Sequence, residues 1–392
     1  MEKVCSRAGS IEAQLLERNR IFADFFSREA RRLALACREM SERFLKGGRV
    51  LAFGKGPYAT DAQHVSVEFV HPIIVGKRAL PALDLSLLFR PWLDAILRPE
   101  DMVMGFAAPD GDLEIDDALA SAKARGAMTF ALPGAEGSYA MDPPSTDPYI
   151  HQELVEILYH TLWETVHVFF EHRELGHDAG ESSFLYPFLA EAKQPTDDVV
   201  DQVAESIEMK AREDAMLRER AARDESEHIA DAARAIHERL KLGGKLVMFG
   251  NGGSATDAND FALDCVAPPA GWRPVPAISL SMEPANLTAI ANDVGVELIF
   301  LRQMIAQARP EDVGVAVSTS GGSRNIIIAL EEARKRGMAT VALLGYDGGE
   351  VVRRGLADFP LVIRSDYIPR IQEVQASIYH VLRAELENLN HA

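Results

Sequence analysis

The chain is poor in cysteine, in basic residues and in long apolar runs, and each shortage excludes a class of protein. Its 392 residues include three cysteines, Cys5, Cys37 and Cys265, with no spacing that indicates a disulfide framework. Lys and Arg number 41 against 59 Asp and Glu, a net charge of −18 that argues against a nucleic-acid surface. No apolar run approaches the length of a membrane span, and the first residues lack a signal-peptide pattern. We expect a cytoplasmic protein that binds neither nucleic acid nor membrane.

What is present is an internal repeat. The segment GRVLAFGKGPYATDAQHVSVEFV at 48–70 aligns with GKLVMFGNGGSATDANDFALDCV at 244–266, and HQELVEILYH at 151–160 aligns with IQEVQASIYH at 371–380. Between them PALDLS, RPEDM and ALASAKARG match PAISLS, RPEDV and ALEEARKRG in the same order. Such agreement indicates a tandem duplication. We predict domains at 1–175 and 196–392, joined by a linker at 176–195 that is rich in Gly, Pro and polar residues.

Each copy has the element pattern of an α/β domain. A long helical segment, at 10–46 or 197–242, precedes short apolar runs that alternate with helices. The predicted strands lie at 50–53, 102–106 and 128–132 in the first copy, and at 246–249, 313–317 and 340–344 in the second. A last helix, at 149–172 or 368–389, closes each copy, and only the second has a full-length segment at 282–308. This alternation predicts two tandem domains, each a parallel sheet with helices on both faces.

Two loops of the second copy have the composition of a phosphate site. Loop 251–254 reads Asn-Gly-Gly-Ser and loop 318–323 reads Ser-Thr-Ser-Gly-Gly-Ser, and each lies between a strand and a helix N-terminus. A plain helix cap is the alternative for 318–323, but a cap needs one hydroxyl and the loop offers four. No acidic residue ends the next strand, at 277–280, so we expect no nucleotide cofactor. The matching loop 107–112 of the first copy has gained two carboxylates, so we expect it to bind no anion.

The motifs F-G-N-G-G-S, S-T-S-G-G-S, A-I-A-N-D, L-G-Y-D-G-G and R-I-Q-E resemble the phosphoheptose (sedoheptulose 7-phosphate) isomerase family, which has a sugar isomerase (SIS) domain. The resemblance covers the second copy from about residue 197 onward, and the first copy more weakly through the repeat. It implies a phosphorylated sugar, a heptose or a hexose, as the ligand. The substrate-binding positions, with Ser254 added from the loop chemistry, fall on Asn251, Gly252, Gly253, Ser254, Asn292, Asp293, Ser318, Thr319, Ser320, Ser323 and Gln372.

The same resemblance places the family's catalytic and zinc-binding quartet twice. The first copy has His64, Glu68, Gln152 and His160, and the second has Asp260, Asp264, Gln372 and His380. Aldose–ketose isomerisation needs an acid and a base, or a metal such as zinc, around one carbonyl, and residues four apart share a helix face. We expect catalytic roles for Glu68, His160, Asp264 and His380. The alternatives are that the histidines are core residues and that Glu68 is a solvated helix residue. Asp264 is shorter than the Glu of the family, and the resulting misplacement of the carboxylate could lower the rate on the order of 100-fold.

Three functions remain open at this stage. The preferred one is a sugar-phosphate isomerase, with acid–base groups from His380, Gln372 and Asp264, or from His64 and Glu68 if the two copies share sites at their interface. Family members assemble with sites near subunit contacts, so we also expect a homo-oligomer, a dimer of tandem chains. The alternative is a non-catalytic sugar-phosphate sensor or protein-binding adaptor, related to the bacterial initiator-associating factor that has the A-I-A-N-D and G-Y-D-G-G stretches. The third is an enzyme of an amino-sugar phosphate.

Overall fold

The structure, a computed structural model, describes residues 2–72, 77–174 and 196–391. Contacts divide the chain into two compact units, Arg20–Glu213 and a unit made of Met1–Asn19 with Asp214–Ala392. Each unit is built on one sheet of five strands. Among the described residues, no helix is both long enough and apolar enough to span a membrane.

The first sheet has the strand order β2-β1-β3-β4-β5, and every neighbouring pair is parallel. Its elements in chain order are α1 (Glu2–Leu45), β1 (Val50–Gly54), α2 (Ala59–Val70), β2 (Ala82–Asp84), α3 (Phe89–Ile96), β3 (Met102–Phe106), α4 (Leu113–Ala124), β4 (Met128–Leu132), β5 (Tyr139–Ala140) and α5 (Pro148–Glu174). Short strands that alternate with helices give this parallel arrangement because each crossover returns the chain to the same end of the sheet.

The second sheet repeats this topology with the order β10-β9-β8-β6-β7, again parallel throughout. Its elements are α6 (Thr196–Lys241), β6 (Leu246–Gly250), α7 (Gly253–Val266), β7 (Ala277–Ser279), α8 (Pro284–Val294), α9 (Ile299–Gln307), β8 (Val313–Ser318), α10 (Arg324–Lys335), β9 (Ala339–Gly345), α11 (Gly349–Arg353), β10 (Phe359–Ile363) and α12 (Ile368–Asn390). The extra segment 282–308 forms α8 and α9. The tandem α/β fold predicted from the repeat is confirmed.

Both faces of each sheet are covered, as the continuous apolar strands predict. Along β6, Leu246 and Met248 belong to one buried cluster, whereas Val247 and Phe249 belong to another. Successive side chains of a strand point to opposite faces, so two separate clusters on one strand require packing on both sides of the sheet.

The compact units differ from the predicted halves at the two long helices. Ile11 and Leu15 of α1 are buried in the same cluster as Ile229 and Ile236 of α6, in the unit of the second sheet. Conversely, the first part of α6 is buried in the cluster of the first sheet. Helical periodicity shows that a face is apolar but not which core receives it. The predicted linker 176–195 lies outside the described residues.

The repeated R-P-E-D motif has a structural role. Asp312 is buried, and its carboxylate accepts hydrogen bonds from the backbone N–H groups of Lys245 at 3.0 Å and Arg309 at 2.8 Å. Asp101 accepts the equivalent bonds from Arg49 and Arg98 in the first unit. These bonds join the turn before one strand to the start of its neighbour, at the end of each sheet opposite the predicted ligand loops.

Candidate functional site

The two glycine-containing loops of the second copy emerge side by side. Their preceding strands, β6 and β8, are adjacent and parallel, with Gly250 opposite Val317. Loop 251–254 leads into α7 and loop 318–323 leads into α10, so both helix N-termini face the carboxyl edge of the sheet. Gly252 has a φ of +57°, a conformation that glycine adopts without strain, as the chain turns into α7. This edge is where open parallel sheets bind ligands.

The hydroxyls of loop 318–323 do not serve as a helix cap. Ser323 occupies the cap position of α10, yet its side chain makes no capping hydrogen bond. Ser318 is buried, and its hydroxyl accepts a hydrogen bond from the N–H of Gly321 at 3.1 Å, which shapes the turn. Ser320 is exposed and accepts a weaker bond from the N–H of Gly322 at 3.3 Å. The arrangement favours a nest for an anion over the plain cap considered from the sequence.

The G-Y-D-G-G stretch at 345–349 packs against loop 318–323 and hydrogen-bonds to it, a role that the sequence did not indicate. Gly321 has a φ of +57°, and a Cβ there would lie 2.2 Å from the carbonyl oxygen of Gly348. Backbone hydrogen bonds join Gly345 N–H to Thr319 at 2.9 Å and Val351 N–H to Gly321 at 3.1 Å. The loop therefore keeps its shape without a ligand, which lowers the entropic cost of binding one.

The other predicted binding residues differ in their exposure and lie on several elements. Asn251 and Gly252 are exposed at the loop, whereas Ser254 is buried in the first turn of α7. Asn292 and Asp293 are exposed on α8, where the Asn292 amide donates to the Asp293 carboxylate at 2.8 Å. No hydrogen bond joins either of them to loop 318–323 within the described part of the chain.

The corresponding loop of the first copy contains its own anion. The Asp112 carboxylate accepts hydrogen bonds from the N–H groups of Glu114 at 2.8 Å and Ile115 at 3.2 Å, at the N-terminus of α4. Lys55 Nζ lies 2.8 Å from the same carboxylate. These are the donors that a bound phosphate would use, so the structure gives a physical reason for the prediction that this loop binds no external anion.

Asp260, Asp264 and His380 of the second quartet come together between α7 and α12. His380 Nε2 lies 3.0 Å from Asp264 Oδ2 and 3.6 Å from Asp260 Oδ2, and all three side chains are buried. The Tyr379 hydroxyl, which sequence reasoning did not select, donates to Asp260 Oδ2 at 2.7 Å. Burial, and then the neighbouring Asp260 charge, raise the pKa of Asp264 to about 7, against the opposing effect of His380.

Gln372 lies about two turns before His380 on α12 and is buried. Its Oε1 atom accepts no hydrogen bond from any residue in the described ranges. A buried amide oxygen without a partner is uncommon in folded proteins and indicates a place for a ligand, an ion or a water. An amide oxygen and the two carboxylates are the oxygen donors that a hard divalent ion prefers.

His64, Glu68 and His160 of the first quartet also converge in a buried cluster. The Nε2 atoms of His64 and His160 are 3.3 Å apart, and His64 Nε2 lies 3.7 Å from Glu68 Oε1. Two imidazole ligands of a tetrahedral zinc, each bonded at about 2.05 Å, would be about 3.3 Å apart. Glu68 Oε2 has no hydrogen-bond partner in the described ranges. Gln152, the fourth member, is buried with its amide nitrogen 3.5 Å from Asp61 Oδ2.

The raised pKa of Asp264 predicts a pH dependence of stability. A carboxyl with a raised pKa in the folded state contributes stability at low pH and loses it as the pH rises through that pKa, here about 7. Urea denaturation in EDTA should therefore show wild type losing a few kcal/mol relative to Asp264→Asn between about pH 5 and about pH 8. Asp117→Asn, the same change at an exposed position, is the control. If the difference in free energy of unfolding between wild type and Asp264→Asn did not change with pH, the raised pKa of Asp264 would be contradicted.

Comparisons with known proteins identify the family of the second copy and the fold of the chain. A family model described as the SIS domain matches residues 211–345, which include both loops. The phosphoheptose isomerase of Trichlorobacter lovleyi is 45% identical over 155 residues, which are 39% of this chain and 78% of that protein. The C-terminal domain of glucosamine-fructose-6-phosphate aminotransferase from Francisella tularensis has a TM-score of 0.63 at 10% identity, over 96% of both chains. Tagatose-6-phosphate ketose/aldose isomerase from Escherichia coli has a TM-score of 0.59 at 14% identity, over 98% of this chain and 95% of that one.

The two structural neighbours extend over both sheets, so they show that the whole chain has the double sugar isomerase fold. The fold and the loops together define the class: a tandem SIS-domain protein. Through its C-terminal half, the chain belongs to the phosphoheptose isomerase family. The family resemblance drawn from the motifs is confirmed.

Proposed function

We propose that the chain binds a phosphorylated heptose or hexose through loop 318–323 and interconverts its aldose and ketose forms. The observation that carries the proposal is the pre-shaped loop of hydroxyls and N–H groups at the N-terminus of α10, inside the region that matches the SIS domain. A negative net charge repels phosphosugars, so local dipoles of this kind must supply the attraction. The relatives named phosphoheptose isomerase support a sugar phosphate as the substrate.

The proton transfers are assigned to the buried carboxylate–histidine pairs. In one direction, a carboxylate removes the proton from the carbon beside the sugar carbonyl, and an imidazole donates a proton to the carbonyl oxygen. The carboxyl group then donates its proton to the former carbonyl carbon of the enediol. The imidazole recovers a proton from the other hydroxyl, which becomes the new carbonyl. Asp264 suits the first task because its pKa of about 7 keeps both protonation states populated near neutrality. His380, at 3.0 Å, is placed for the second.

A divalent metal is the other contribution that the residues would accommodate. His64, Glu68 and His160 form a donor set that fits zinc, and Asp260, Asp264 and His380 form a harder set. By the family resemblance, Gln152 and Gln372 would be the fourth ligands of the two sets. A bound metal would polarise the sugar oxygens and stabilise the enediolate charge. The homo-oligomeric state and the cytoplasmic location stay predictions.

The assignment is tested by kinetics with sedoheptulose 7-phosphate as the substrate. Glu68→Gln and Asp264→Asn each remove one candidate base with little change in volume. We expect kcat to fall by about 100-fold or more in at least one variant, because general-base catalysis contributes at least that much. Wild-type activity in both variants would refute the catalytic assignment.

Ser320→Ala tests the phosphate loop separately from the chemistry. Ser320 is exposed, so its removal should leave the fold intact while removing one hydrogen bond to a charged oxygen. The Kd for sedoheptulose 7-phosphate, measured by calorimetry, should rise by about 10- to 100-fold. Ser121→Ala, at an exposed position on α4, is the matched control. An unchanged Kd in Ser320→Ala would remove the loop from the site.

A non-catalytic sensor or adaptor is the second candidate. It is favoured by the commitment of both second-copy carboxylates to internal partners, Asp260 to Tyr379 and Asp264 to His380. A sensor would bind sedoheptulose 7-phosphate without converting it, and an adaptor would do neither. The calorimetric and kinetic measurements together separate these functions from an isomerase.

A further inference from the structure

The side chains of Asn251 and Asn325 form a reciprocal pair between the two ligand loops. Asn251 Nδ2 donates to Asn325 Oδ1 at 3.0 Å, and Asn325 Nδ2 donates to Asn251 Oδ1 at 2.8 Å. Asn251 is the first residue of loop 251–254, and Asn325 lies in the first turn of α10 directly after loop 318–323. Two hydrogen bonds therefore connect elements that are 74 residues apart in the chain.

A third hydrogen bond fixes the orientation of the pair. The backbone N–H of Ile326 donates to Asn325 Oδ1 at 2.9 Å. A backbone N–H can only donate, so the acceptor must be the oxygen of the Asn325 amide and the other end must be the nitrogen. That assignment in turn dictates which end of the Asn251 amide is its oxygen. Asn325 is 8% exposed, whereas Asn251 is exposed, so the buried member sets the conformation of the exposed one.

The first copy retains the same connection with different chemistry. By the repeat, Lys55 corresponds to Asn251, and Glu114 in the first turn of α4 corresponds to Asn325. Lys55 Nζ donates to Glu114 Oε2 at 3.0 Å. The same two positions are thus joined in a copy whose own carboxylate occupies the anion position. The connection is a feature of the fold, and the second copy makes it without placing a net charge beside its anion loop.

We propose that Asn325 is a positioning residue, which holds loop 251–254 against loop 318–323 so that both loops present their N–H groups and hydroxyls to one phosphosugar. This inference rests on the proposed function. Asn325 acts through Asn251 rather than by touching the ligand. Fixing both loops before binding reduces the entropy that the ligand must offset, so the pair contributes to affinity.

A double-mutant cycle of Asn251→Ala and Asn325→Ala tests the proposal. In the wild-type background, Asn325→Ala should raise the Kd for sedoheptulose 7-phosphate by about 10-fold, because it removes two hydrogen bonds that order the site. In the Asn251→Ala background, the same change should raise it by no more than about 2-fold, because the partner is already absent. Hydrogen exchange at residues 251–254, measured without ligand, should accelerate in both single variants.

Thr340→Val is the matched control for the loss of a buried hydrogen bond. Thr340 is buried, and its hydroxyl bonds with Asp358 at the far end of β9. This variant should lower the Tm without changing exchange at 251–254. An equal loss of affinity from Asn325→Ala in both backgrounds, or unchanged exchange at 251–254, would overturn the proposal. If wild type fails to bind sedoheptulose 7-phosphate while exchange still accelerates in both single variants, the proposed function falls and the positioning role stands.

Discussion

Replacing Gly321 by Ala should abolish phosphosugar binding and lower the free energy of unfolding by about 3 kcal/mol. Two separate costs act at this position. Its φ of +57° is strained for any residue with a Cβ, and that Cβ would lie 2.2 Å from the Gly348 carbonyl oxygen. The loop can relieve the overlap only by moving away from the G-Y-D-G-G stretch, which would misplace Ser320 and its neighbours. Urea denaturation measures the change in the free energy of unfolding, and calorimetry with sedoheptulose 7-phosphate measures the loss of binding.

Two other glycines distinguish the cost of the positive φ from the cost of the steric overlap with Gly348. Gly337 has a φ of +78° with open space around its Cβ position, so Gly337→Ala reports the conformational strain alone, about 1 kcal/mol. At Gly322 the nearest atom to an added Cβ is Ser320 Oγ at 3.8 Å, so Gly322→Ala should leave the Tm unchanged. If Gly321→Ala were no less stable than Gly337→Ala, the close packing of the loop on Gly348 would be wrong.

Replacing His160 by Ala should weaken zinc binding at the proposed site of His64, Glu68 and His160 by about 100-fold or more, since even residues that only orient zinc ligands contribute 10- to 100-fold. His160 and His64 supply two imidazoles in a geometry that fits tetrahedral zinc, and Glu68 is the proposed third ligand. The second quartet has a single imidazole and oxygen donors, a set that binds zinc less tightly. Competition between EDTA-treated protein and a chelating dye measures the affinity.

His167→Ala is the matched control for the zinc experiment. His167 is also buried on α5, two turns further along, and its ring nitrogens lie within hydrogen-bonding distance of the Trp163 and Arg78 carbonyls, at 2.9 and 3.0 Å. Its removal should lower the free energy of unfolding and leave the zinc affinity unchanged. Equal zinc affinity in wild type and His160→Ala would show that this cluster is held by packing and hydrogen bonds alone.

The two parallel sheets could be predicted from the sequence because the evidence is local or repeated, whereas the order of their strands came only from the structure. Apolar runs such as 246–249 and 313–317 are continuous, and the aligned blocks forced the same topology on both copies. The convergence of His64 with Glu68 follows from helical spacing alone. The pairing of these residues with His160 came from the family resemblance, and the structure brings the three together.

The remaining features depend on contacts between distant segments, and no periodicity encodes them. Asn325 sits in an ordinary Ser-Arg-Asn turn, and only the fold shows that its amide meets Asn251. The tight packing of Gly321 on Gly348 likewise joins two loops that are separate in sequence. The repeat contained one missed signal: a Tyr precedes the His in both copies of the last helix, and Tyr379 proves to bond with Asp260.

Calorimetric titration with sedoheptulose 7-phosphate and, in parallel, with unphosphorylated sedoheptulose tests the central claim most directly. Binding through a single intact phosphate loop predicts one site per chain for the phosphorylated sugar and no measurable heat for the other. Equal binding of both sugars, or no binding of the phosphorylated one at millimolar concentration, would contradict the role assigned to loop 318–323.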